Sequence, residues 1–171
     1  MPLKRKTIPW AITSLRVIAL PFLLYSFNQQ IQVVTYALFL FARCTDCVDG
    51  YAAKKLEATS RLGSYFDVTA DFILVSGMFV MFVLEEVYPL WILLLIVAVF
   101  VQFVLTSLYS KQTIYDPVGK YYGSLMYCGI GLTLLFSEQL TFNIVTIGIV
   151  VSTIVSLFSR LVYFLRAQNR K

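Results

Sequence analysis

Four aspartates, Asp46, Asp49, Asp67 and Asp71, stand in two pairs, three and four residues apart, within largely apolar stretches. On a helix either spacing puts both carboxylates of a pair on one face. Four converging carboxylates repel one another strongly unless cations neutralise them, and Arg43 and Arg16 are the basic residues nearby. One or two divalent cations are the better solution. An all-oxygen donor set in a chain with no His favours Mg2+ or Mn2+. Two such ions would clamp a phosphoryl group and neutralise charge on its attacking and leaving oxygens. The residues alone therefore point to metal-dependent phosphoryl transfer. A second pattern threads through the first, because Cys44 and Cys47 form a CxxC. On the helical wheel these thiols lie roughly 100–160° from Asp46. That orientation predicts thiols turned toward packing neighbours, behaving as small hydrophobes, with an incidental spacing.

The elements that must hold these acids are set by composition. Of 171 residues, 59% are apolar and 13% charged, about half the charge of an ordinary soluble domain. Runs such as 91–103 and 144–158 are nearly free of charge and too long for buried strands. The pattern predicts an all-α integral membrane protein, a six-transmembrane-helix bundle with spans near 9–27, 31–55, 62–84, 88–109, 119–137 and 141–165. Lys4, Arg5, Lys6, Lys54, Lys55, Arg61, Lys111, Lys120, Arg166, Arg170 and Lys171 all fall on one side of that topology. The opposite turns, 28–30, 85–86 and 137–139, contain no Lys or Arg. The positive-inside rule then puts both termini and the site in the cytoplasm of a multi-pass cell-membrane protein. The net charge of +5 follows from that asymmetry and requires no nucleic-acid partner. No small-residue cleavage site follows a short apolar core, so no removable signal peptide is expected. With no repeat or linker, residues 1–171 read as a single transmembrane catalytic domain.

In such a bundle an acid at the centre of a span costs ~2.5–3.5 kcal/mol if it meets lipid. Intramembrane acids therefore face a polar cavity and mark function. The wheel agrees, with Ala42, Gly50 and Ala53 flanking the first pair and Gly63, Ser64 and Ala70 the second. Small residues allow a ligand or a backbone to come close. The short link between spans two and three makes them antiparallel neighbours, so both pairs lie at similar depth. An alternative use of the same acids is a divalent-cation channel or transporter. That reading expects acids along a pathway, often repeated in another half of the chain, whereas here they cluster. A thiol oxidoreductase built on Cys44 and Cys47 is a further alternative, with Cys128 as the only other thiol.

The segment Asp46-x2-Asp49-Gly50-x2-Ala53-Lys54-x8-Gly63-x3-Asp67-x3-Asp71 resembles the motif of the CDP-alcohol phosphatidyltransferases. Seven of its eight fixed positions match with every spacing kept. The departure is Lys54, where that family usually has Arg; Lys keeps the charge but loses planar, bidentate phosphate binding. The stretch 8–21 is similar to the first-span opening of bacterial members, retaining Pro9, Thr13, Arg16 and Pro21, with Trp10 in place of the usual Asn.

The resemblance implies transfer of a phosphatidyl-type group from a CDP-linked lipid, diacyl or archaeal ether, to the hydroxyl of a small alcohol, with release of CMP. It implies Asp46, Asp49, Asp67 and Asp71 as metal ligands, with Asp71 also the catalytic base. Gly50, Ala53, Lys54, Gly63, Thr13 and Arg16 would form the CDP-binding side. Arg43, Arg61, Lys111 and Lys120 are candidate acceptor-binding residues, with ion pairing or a place at the membrane edge as the plainer reading of each. Glycerol-phosphate users of the family often carry Lys after the last Asp, and inositol-phosphate users Arg. This chain has Phe72, which weakens the case for an anionic acceptor there and favours serine, whereas Lys120 and the first-span pattern favour glycerol phosphate; glycerol phosphate, serine and inositol phosphate all stay open. A homodimer is expected by analogy, and Gly119-x3-Gly123 could support close helix packing.

Overall fold

The computed structural model describes residues 17–55, 61–110 and 117–168, with side chains described at 17–45, 68–106 and 121–162. Six helices and no strand occur among the described residues. They are α1 (Val17–Asn28), α2 (Gln32–Lys55), α3 (Arg61–Leu84), α4 (Leu90–Ser110), α5 (Pro117–Leu135) and α6 (Gln139–Gln168). At 1.5 Å per residue, α2–α6 run about 28–45 Å. The all-α expectation holds, with most ends within two residues of those read from hydropathy. One helix, Gln139–Val162, is long and apolar enough to cross a bilayer by itself; Val17–Asn28, Gln32–Thr45, Val68–Leu84 and Leu90–Thr106 are shorter apolar segments. Many large apolar side chains point outward, among them Phe22, Val33, Leu84, Ile147 and Phe158.

Two turns repeat one device. After α1 the Ile31 amide donates to the Ser26 carbonyl at 3.0 Å and the Gln30 amide to Phe27 at 2.9 Å. After α3 the Val87 amide donates to Phe82 at 2.8 Å and the Glu86 amide to Val83 at 3.1 Å. These are Schellman caps, and they need a left-handed residue at the pivot. Gln30 and Glu86 supply it, each at φ 58°, where glycine would sit without strain. The α1–α2 turn is further tied by side chains: Thr35 Oγ1 donates to Ser26 Oγ at 2.9 Å, and Ser26 passes its own proton to the Leu23 carbonyl at 3.0 Å.

The chain divides into two compact units, Met1–Met78 and Phe79–Lys171. In the first, the buried residues include Leu23 of α1, Phe39 and Ala42 of α2, and Ala70, Leu74 and Met78 of α3. Gly77 lets α1 approach α3, since a Cβ there would lie 3.0 Å from both Leu20 methyls.

The second unit is organised by Tyr88. Its ring lies 5.7–5.9 Å from those of Phe79, Phe82 and Phe142. Its hydroxyl is 2.7 Å from Thr133 Oγ1, which itself donates to the Gly129 carbonyl at 2.8 Å. Thr133 has one proton, so the phenol is the donor of the first bond. Gly129 also gives room for α6, with Val145 3.1 Å from the place its Cβ would take. Gly123, by contrast, has no described neighbour within 4 Å, so the GxxxG spacing makes no close packing there among the described residues.

Replacing Gln30 or Glu86 by Gly should raise stability by about 0.5–1 kcal/mol, read as a higher Tm in detergent. Tyr88→Phe should cost about 1 kcal/mol, the value of one hydrogen bond. Tyr88→Ala should cost about 3–5 kcal/mol, because the aromatic cluster loses its centre.

Candidate functional site

On α2 the buried residues Thr35, Phe39 and Ala42 form one stripe, each under 5% exposed. Spacings of four and three continue that stripe through positions 46, 49 and 53 of the same unbroken helix. On α3 the buried stripe is Ala70, Leu74 and Met78, and position 67 lies in its register at the helix's start. Asp71 shares that face and is half-buried. Positions 46, 49 and 67 thus fall at helical spacing from the buried stripes of their helices. Asp49 and Asp67 each stand six residues in from the facing ends of α2 and α3, and Asp46 and Asp71 nine and ten. With 1.5 Å of rise per residue the acids form two levels, about 9 Å and about 14–15 Å from those ends. Counted along each helix, the two pairs stand at like distances from these ends.

The side chains of Asp46, Asp49, Gly50, Ala53 and Lys54 at the end of α2, of Arg61, Gly63 and Asp67 at the start of α3, and of Lys120 in α5 lie outside the described residues, although each is on its helix. Thr13, Arg16 and Lys111 lie outside the described residues altogether. Arg43 is half-buried, one residue past the buried Ala42. Thr45 returns its hydroxyl to the Ala42 carbonyl at 2.8 Å, which satisfies it within α2.

Cys44 corrects one expectation. It is exposed on the outer side of α2 rather than turned toward packing neighbours, because the stripe through Ala42 takes the inward face. Cys47 lies outside the described side chains. Cys44 thus lies off the buried stripe of α2.

One buried charge escapes the sequence reading. Arg160 of α6 is 8% exposed, with its guanidinium 4.6 Å from the centre of the Phe103 ring in α4. A cation four residues after Ser156, at the edge of an uncharged run, was the available signal.

The model of the CDP-alcohol phosphatidyltransferase family matches residues 6–158. The chain belongs to that family. Its relatives include proteins named CDP-diacylglycerol–glycerol-3-phosphate 3-phosphatidyltransferase. That of Haemophilus influenzae is 36% identical over 88 residues, 50% of this chain and 47% of the relative. That of Bacillus subtilis is 38% identical over 61 residues, 36% of this chain and 32% of the relative. That of Yersinia pestis (strain Pestoides F) is 33% identical over 90 residues, 51% of this chain and 49% of the relative. The matches span about half the length of these relatives or less. The family is membrane-associated and divalent-cation dependent in general. Nothing in these likenesses supports a channel or transporter.

The donor set fits such a cation. Its candidate ligands are carboxylates on two inward registers, in a chain with no His, and hard cations prefer oxygen. If the four acids converge, metal removal should leave them repelling. Mg2+ or Mn2+ should then raise the Tm, by about 2.7 kcal/mol of stability at a hundredfold excess over Kd. Asp67→Asn should abolish that gain while leaving the Tm in EDTA unchanged or higher. A Tm insensitive to both metals would show that the acids hold no cation.

Proposed function

We propose that this chain is a metal-dependent CDP-alcohol phosphatidyltransferase of phospholipid synthesis, transferring the phosphatidyl group of a CDP-linked lipid to glycerol phosphate. The observation that carries this reading is the family's acid motif on the inward registers of α2 and α3. The acceptor follows the names of the relatives. The reading extends to a six-span, multi-pass cell-membrane protein with both termini and the active site in the cytoplasm. Helix lengths, apolar outer faces and the one-sided placement of Lys and Arg support that topology.

Asp46, Asp49, Asp67 and Asp71 would hold one or two Mg2+ or Mn2+ ions. When bound, these supply positive charge to the diphosphate and to the departing CMP. Asp71 takes the proton of the acceptor hydroxyl. The hydroxyl oxygen forms a bond to the lipid-side phosphorus, and the bond from that phosphorus to CMP breaks. With no His in the chain, a carboxylate is the natural base. Gly50, Ala53 and Gly63 leave room for the nucleotide, and Lys54, Thr13 and Arg16 contribute polar contacts to it. Arg43, Arg61, Lys111 and Lys120 are the cations available to an anionic acceptor. Assembly as a homodimer belongs to the same proposal, by analogy with the family.

The test is CMP release by purified protein with Mg2+ or Mn2+, CDP-diacylglycerol or its archaeal ether counterpart, and glycerol 3-phosphate, serine or inositol phosphate as acceptor. Glycerol 3-phosphate should give CMP and a phosphatidylglycerol phosphate. Asp71→Asn should lower turnover by about 10²–10⁴-fold, and Cys44→Ser should leave it unchanged. No metal-dependent CMP release with any of these pairs would sink the assignment. Full turnover in Asp71→Asn would displace the base alone.

A further inference from the structure

The α4–α6 interface of the second unit contains two buried polar atoms that the fold does not satisfy. The inward stripe of α6 starts apolar, with Val145 and Ile149, and turns polar at Thr153, Ser156 and Arg160. Thr153 is matched by the Tyr122 hydroxyl of α5 at 3.0 Å. Ser156 is fully buried, and its Oγ has no hydrogen-bond partner among the described residues. Facing this turn is Gln102 of α4, whose Nε2 donates to the Leu157 carbonyl at 3.4 Å. That contact fixes the amide, since the flipped form would set two acceptors against each other. The other end of the amide, Oε1, is shut from solvent and also unmatched. Both orphans belong to this helix pair, one on Ser156 and the other on an amide whose far end contacts the carbonyl of the next residue, Leu157.

Buried polar groups are almost always matched, and an orphan asks for an ordered water or an ion. The penalty for leaving them bare is greatest where hydrocarbon surrounds the bundle. A cation is disfavoured by Arg160, one turn along the same stripe, and an anion by the lone pairs of Gln102 Oε1. A small neutral donor suits the two groups, because Gln102 Oε1 needs a proton and Ser156 Oγ can either accept one or give its own. We propose that α4 and α6 enclose an ordered water molecule that donates to Gln102 Oε1 and exchanges a second hydrogen bond with Ser156 Oγ. A buried water typically makes two to four hydrogen bonds, and these two groups supply two of them. This site is independent of the aspartates and of the transfer reaction.

The sign of one substitution separates a wet site from a dry one. If the water is present, Ser156→Ala removes one of its partners and the Tm should fall by about 2–4 °C. If the pocket is dry, Ser156→Ala removes an unsatisfied hydroxyl and the Tm should stay level or rise. An experimental map that resolves waters elsewhere in the bundle gives the direct readout. Density for one oxygen within hydrogen-bonding distance of both Gln102 Oε1 and Ser156 Oγ is expected. Its absence in such a map, or a level or raised Tm in Ser156→Ala, would overturn the proposal.

Discussion

A carboxylate on an apolar helix must point inward, and that constraint organises the first unit. On α2 the buried, apolar stripe runs through Phe39 and Ala42, and helical spacing carries it on to positions 46 and 49. α3 begins with the acids and continues into Ala70, Leu74 and Met78. The same register serves packing at one end and chemistry at the other. Rotating either helix would turn its core residues outward, so packing energy fixes the register on which the acids stand. Gly77 contributes from a distance by allowing α1 to seat closely on α3.

The second unit meets a milder form of the same constraint with hydroxyls in place of carboxylates. Tyr88, Thr133 and Gly129 form a relay in which every proton has an acceptor. Ser26 and Thr35 do the same across the first turn of the other unit. Each relay ends on a backbone carbonyl, which has a spare lone pair even inside a helix. Arg160 is handled differently, its charge resting over the face of Phe103, where the ring quadrupole attracts a desolvated cation.

Most of this was legible because hydropathy and acid spacing are local signals. The helix ends follow from hydropathy, and the shared register of the acids with the buried stripes of α2 and α3 follows from periods of three and four. The turns were legible in place but not in kind. Caps pivoting on Gln30 and Glu86 carry none of the glycine that normally marks them. α5 begins at Pro117 rather than 119, because proline is preorganised for a first helical turn and its missing amide costs nothing there. Cys44 and Arg160 were not legible, for a shared reason. Whether a helix face meets lipid or a neighbour depends on which other helices pack there, and a single wheel does not contain that information.

The depth of the acids bears on how a lipid could react with a water-soluble alcohol. α2 is 24 residues long, about 36 Å, so in a hydrocarbon layer of about 30 Å it overshoots each surface by only about 3 Å. The two acid levels, about 9 and about 14–15 Å from the helix end, would then lie below the headgroup boundary. In the proposed reaction the acyl chains need not leave the bilayer, because the diphosphate is drawn inward to the acids. The acceptor must come to the same level from the aqueous side, which requires a polar path along the faces of α2 and α3 that carry Asp49 and Asp67 first. Gly50, Ala53 and Gly63 occupy these outer turns, where small residues keep such a path open. Under that proposal the two acid levels would have different work: the outer pair would meet the incoming polar groups, and the inner pair, which includes Asp71, would stand beside the lipid phosphorus.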